Sequence, residues 1–167
     1  MLNLKPLSKA AIPAALAKAE RYRLLNEPAE AESICLDILE VDAANQDAVV
    51  TLLLALTDRF PEVSSSKFVG RAGDLIAALR EDYDRAYYSG IIRERRAKAA
   101  LHRHHYGAAG HAVEWLREAM ECYERAEAMR PAQNDDAVLR WNACARLLSE
   151  LPAVTPGIDQ PEPLQSE

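Results

Sequence analysis

From Pro13 to Glu150 apolar residues return every three or four positions, and prolines and polar turns separate the segments in which they do so. Ala31, Ile34, Cys35, Ile38 and Val41 fall on one side of such a segment while Glu30, Glu32, Asp37 and Glu40 fall elsewhere, the pattern of a helix that buries one face. Ala112, Leu116, Ala119, Tyr123 and Ala126 form a longer stripe of the same kind, with Glu121 and Arg125 placed as a favourable i,i+4 pair. Pro13, Pro28, Pro61 and Pro131 stand where these patterns start or stop, as suits a residue without an N–H that is tolerated only in a first turn. The pattern predicts seven helices, at about 13–26, 29–42, 46–59, 66–80, 83–105, 111–129 and 135–150, and an all-α fold. Residues 1–150 form one helical domain in this reading. Residues 151–167, rich in proline and without periodicity, read as a disordered tail.

Composition sharpens the choice of class. Six glycines and two phenylalanines accompany recurrent Ala, Leu, Glu and Arg, and Val, Ile and Thr never alternate with polar residues, so helices are favoured over strands. With 49% apolar and 28% charged residues in 167, the chain is long enough for one packed core. No run of eighteen apolar residues is present, so no membrane span is expected, and the N-terminal MLNLKPLSKAAIP lacks the apolar stretch of a secretory signal. A cytoplasmic protein is expected. Cys35, Cys122 and Cys144 cannot all pair with one another and none lies in C-x-x-C, which points to reduced core thiols. The net charge of −6 argues against nucleic acid as a partner.

Seven helices could form a bundle or a stack of repeated pairs, and internal similarity favours the stack. In residues 12–48 small Ala19 is followed by Tyr22, Asn26-Glu27-Pro28 makes a turn, and small Ala31 sits in the next helix. Ala119, Tyr123, Ala126 and Pro131 repeat the closing part of that unit, and Tyr87-Tyr88-Ser89-Gly90 suggests another first helix with Gly90 in the small-residue slot. This resembles the tetratricopeptide repeat family, whose units of about 34 residues are helix-turn-helix pairs. The resemblance covers roughly residues 12–150 and implies a right-handed superhelix of antiparallel helix pairs, about three pairs plus a C-terminal capping helix. The long turn FPEVSSSK and the segment YGAAG would absorb the residues in excess of the repeat length.

Candidate chemistry is sparse. His102, His104, His105 and His111 include a pair one turn apart, but the residues between them are Arg103 and His104 rather than a catalytic glutamate, so these side chains are expected to close a helix C-terminus and not to bind metal. Arg85, Arg93, Arg95, Arg96, Lys98 and Arg103 share one predicted helix with Glu94 as its only acid from 85 to 105, and are expected to be solvated or internally paired, or to receive an acidic partner. Trp115 and Trp141 read as packing anchors. Sequence signatures of nucleophilic, phosphate-binding or dinucleotide-binding sites are missing, so no cofactor and no enzymatic activity are expected.

In the family that the chain resembles, first helices line a groove that holds a peptide or partner helix. The positions implied here are Leu16, Glu20, Arg23 and Leu24 in the first pair, Val50, Leu54, Thr57 and Asp58 in the second, and Tyr87, Ile91, Glu94 and Arg95 in the third. About half are apolar, which suits an amphipathic ligand, and Arg23 and Arg95 suit an acidic one. The expected function is a non-catalytic protein-protein interaction module, an adaptor or chaperone-like scaffold. A self-assembling structural subunit using the same groove or the terminal helix is the alternative.

Overall fold

The computed structural model describes residues 3–62, 65–103 and 108–151. Seven α-helices follow one another: α1 (Ile12–Leu24), α2 (Pro28–Val41), α3 (Gln46–Asp58), α4 (Ser65–Ile76), α5 (Asp82–His102), α6 (Ala108–Ala128) and α7 (Asp136–Glu150). A single 3-10 turn at Lys9–Ala11 leads into α1, and no strand occurs among the described residues. The all-α class expected from the pattern is present, and each of the seven predicted segments corresponds to one helix. The tail from 152 onward and the pair His104 and His105 lie outside the described residues.

Local signals set the boundaries. Pro13 and Pro28 occupy the first turns of α1 and α2, where a missing N–H costs no helical bond. Asn26 takes a left-handed conformation at φ 60°, which lets the Glu27 N–H reach back to the Tyr22 carbonyl and closes the end of α1. Asn45 caps α3, its side-chain oxygen accepting from the Ala48 N–H at 3.0 Å. α4 stops at Ile76, four residues before the predicted end, because tertiary bonds take the backbone groups that a longer helix would use. Gln46 donates to the Ala78 carbonyl and accepts from the Arg80 N–H, while Arg85 donates to the carbonyls of Leu79 and Arg80.

Consecutive helices pack against each other, and in addition α1 reaches α3 and α3 reaches α5. No comparable contact joins α1 to α6 or α7 among the described residues, so the row of helices does not close on itself. The buried side chains form two clusters. One is built mostly from α1–α4 around Ala19, Ala31, Cys35, Leu53, Phe60 and Phe68, and the other from α5–α7 around Ile91, Leu116, Ala119, Tyr123 and Cys144. Leu54 and Tyr88 pack against both and join them. Ala19, Ala31, Ala119 and Ala126 are fully buried, as expected of small residues at helix crossings. The three cysteines are free and buried. Glu32, almost buried, ties α2 to Arg59 after α3 and to Arg71 on α4.

Candidate functional site

The odd-numbered helices are joined by ion pairs through residues from the implied groove. Asp58 at the end of α3 accepts from Arg23 Nε of α1 at 2.8 Å and, through its other oxygen, from Arg95 of α5. Arg23 and Asp58 keep about a fifth of their side-chain surface exposed, so the pairs are shielded without being dry. Residues far apart in sequence thus meet where α1, α3 and α5 run past one another. One carboxylate held by two guanidiniums remains a net cationic group.

A second junction lies one residue away on α5. Glu94 is fully buried and accepts from Tyr123 of α6 at 2.6 Å, from Lys98 at 2.5 Å and from Arg140 of α7 at 3.3 Å. Every oxygen of this carboxylate therefore has a partner, the condition under which a buried charge is tolerated. Burial pushes the Tyr123 phenol well above its ordinary value, and the Glu94 carboxylate beside it pushes in the same direction. At Arg140 burial opposes the charge, but Glu94 and Tyr87 outweigh it and raise the guanidinium's hold on its proton. The line of charges runs from α1 through α3 and α5 to α7. In it four cations, Arg23, Arg95, Lys98 and Arg140, share two carboxylates.

The other groove positions divide. Leu16, Val50, Leu54 and Tyr87 are half-buried, and Glu20 and Leu24 are exposed, Leu24 by 87%. Tyr87 stacks on Tyr83 at 5.8 Å and meets Tyr88 edge-on at 5.1 Å. Ile91 and Glu94 depart from expectation: both are buried and line no groove. Ile91 packs in the second buried cluster, and Glu94 is met by Tyr123 of α6 and Arg140 of α7. Thr57 is buried too, its hydroxyl donating to the Leu54 carbonyl within its own helix. Arg23 and Arg95 have Asp58 already in place, so an acidic partner would meet a shared charge and not two free ones.

The cationic helix is largely neutralised within the chain. Arg85 pairs with Asp82, Arg93 with Glu118, Arg95 with Asp58 and Lys98 with Glu94. Arg103 donates to the carbonyls of Phe60 and Glu62 just after α3, and Arg96 lies 3.9 Å over the Trp115 ring. His102 is the exposed last residue of α5, and His111 lies 5.8 Å from Trp115. Among the described residues no group of three or more His, Cys, Asp or Glu side chains is arranged to hold a metal. No helix among them is long and apolar enough to cross a membrane. The Glu94 junction escaped the sequence reading because Tyr123 and Arg140 are distant in the chain; its one local signal was the Glu94 to Lys98 spacing.

No protein-family model, no curated protein and no solved structure matches the chain.

Proposed function

We propose that this protein is a non-catalytic interaction module of the tetratricopeptide type, in which antiparallel helix pairs form a right-handed superhelix and α1, α3 and α5 present an inner face to a peptide or partner helix. The observation that carries this reading is the Arg23–Asp58–Arg95 junction, which links α1, α3 and α5. A closed bundle would bring the first helix to the last, whereas a stack brings each first helix to that of the next pair. Small buried Ala19 and Ala31 in the first pair support the same register.

The occupant that suits this face is an amphipathic, acidic segment. Its apolar side would rest on half-buried Leu16, Val50, Leu54 and Tyr87, and its carboxylates would respond to the excess of cations over carboxylates along the odd helices. Selection of a displayed peptide library against the full chain, with Leu16→Asp and Tyr87→Ala as counter-targets checked by melting curves, tests this. Enrichment of acidic amphipathic sequences that both folded variants fail to retain is the expected result. Equal retention by both would reject the inner face. We place the protein in a reducing, cytoplasmic setting on the strength of its three free, buried cysteines.

Self-assembly is the second reading, and exposed Leu24 and Leu25 at the end of α1, with Leu139 on α7, favour it. A mass that rises with protein concentration in sedimentation would support that reading over a monomeric adaptor.

A further inference from the structure

Arg96 on α5 and Arg103 just after its end are left without a carboxylate among the described residues, and both border the same cleft. Arg96 and Arg103 are seven positions apart, two helical turns, so they share a face with Ala99 and Ala100 between them. That face, together with Phe60, Ser66, Val69 and Trp115, encloses a cleft of about 280 Å³. Arg85, Arg93, Arg95 and Lys98 on the same helix each have an acidic partner. The exceptions are therefore confined to the cleft.

The Arg103 Nε is buried with no hydrogen-bond acceptor, in a side chain that borders the cleft. Its Nη2 is fixed by the carbonyls of Phe60 and Glu62, so the guanidinium cannot swing out to water without breaking those bonds. A buried donor of a charged group left unmade is costly and in native proteins is matched by an acceptor. Arg96 is held against the Trp115 ring, and Ser66 also lines the cleft. Phe60, Val69 and the two alanines supply an apolar floor.

We propose that this cleft binds a monocarboxylate carried on a small apolar body, its oxygens pairing with the guanidiniums of Arg103 and Arg96, and its body lying against Trp115 and Phe60. A cavity of roughly 150 Å³ admits a benzene ring, so the volume suffices for a phenyl group and its carboxylate. A fully hydrated anion such as phosphate would leave the apolar floor unused, and an uncharged aromatic would leave Arg103 unmatched. The cleft shares no residue with the Arg23–Asp58–Arg95 junction, and the proposal is independent of the reading given above for the inner face.

Phenylacetate is the probe, titrated into the full chain carrying Trp141→Phe so that Trp115 alone reports by fluorescence. Saturable binding is expected, with phenylacetamide, acetate and inorganic phosphate each at least about tenfold weaker, since each lacks one half of the recognition. Arg96→Gln, which breaks no bond to the backbone, should weaken phenylacetate about tenfold or more, and Arg103→Gln should do the same if it remains folded by circular dichroism. A tetrapeptide ending in phenylalanine separates the sources of the carboxylate: tighter binding than phenylacetate assigns the site to a peptide C-terminus, weaker binding to a free acid. Absence of saturation, equal affinity for the acid and its amide, or an unchanged affinity in Arg96→Gln overturns the proposal.

Discussion

A β-carbon placed on Gly90 would lie 2.5 Å from Cε1 of Tyr123, with two more ring atoms inside 3.0 Å. The absence of a side chain on α5 is thus what admits the Tyr123 ring, and the ring in turn carries its hydroxyl to Glu94. Close packing and the buried charge junction depend on the same pair.

Gly90→Ala should therefore destabilise the fold, by about 1–3 kcal/mol, although glycine to alanine inside a helix ordinarily gains up to about 1 kcal/mol. Gly70 and Gly73 on α4 have no atom within 4 Å of an added β-carbon, and alanine there should stabilise. Urea melts of the three variants give the signs. A Gly90→Ala protein as stable as its parent would show that α5 and α6 do not meet in this register.

Asp58→Asn removes the charge that separates Arg23 from Arg95 and leaves two guanidiniums facing each other. A loss of about 2 kcal/mol is expected, between the values for exposed and fully buried pairs. Added salt should restore part of it by screening the two arginines. Thermal melts at low and high ionic strength check both effects.

The helices were legible because their signals are local. Periodicity, the prolines at 13 and 28 and the Asn45 cap act within one or two turns, so they survive in the sequence as spacing. Ala19, Ala31 and Gly90 were legible for a related reason, since crossing helices require small residues at fixed offsets. Of the groove positions, Arg23, Asp58 and Arg95 do converge, but their mutual pairing could not be read from one helix at a time. Ile91 and Glu94 share the periodicity of a groove face, and only the arrival of α6 and α7 encloses them. The shortened α4 has the same origin: Gln46, from another helix, takes the backbone groups after Ile76.

Tyr123→Phe keeps the ring and removes one of the bonds to the Glu94 carboxylate. The cost should be about 1–3 kcal/mol. Glu94→Gln should cost more, because Lys98 and Arg140 lose their counter-charge together. A double-mutant cycle on equilibrium unfolding should return a coupling of about 0.5–3 kcal/mol between Glu94 and Tyr123, and strictly additive losses would contradict the bond.

Stability should fall as the pH rises through the alkaline range. Burial pushes the thiols of Cys35 and Cys144 from 9.0 up to about 12, and the Tyr88 phenol from 10.0 up to about 12. The folded chain keeps these protons where the unfolded chain releases them, so their contribution is complete below pH 9 and declines from there toward pH 12. The slope reaches about 1.4 kcal/mol per pH unit for each group. In Cys35→Ala/Cys144→Ala the decline should begin near pH 10, where the tyrosines set it. Unfolding free energies measured from pH 7 to 11 would contradict this if they were flat.

The most direct test of the inner face is amide chemical-shift mapping of a library-selected acidic peptide on the labelled full chain. The shifts should concentrate on Leu16, Arg23, Val50, Leu54, Asp58, Tyr87 and Arg95, residues of α1, α3 and α5 alone. Shifts confined to α2, α4 and α6, or to the Trp115 cleft, would contradict the account and assign partner binding to a different surface.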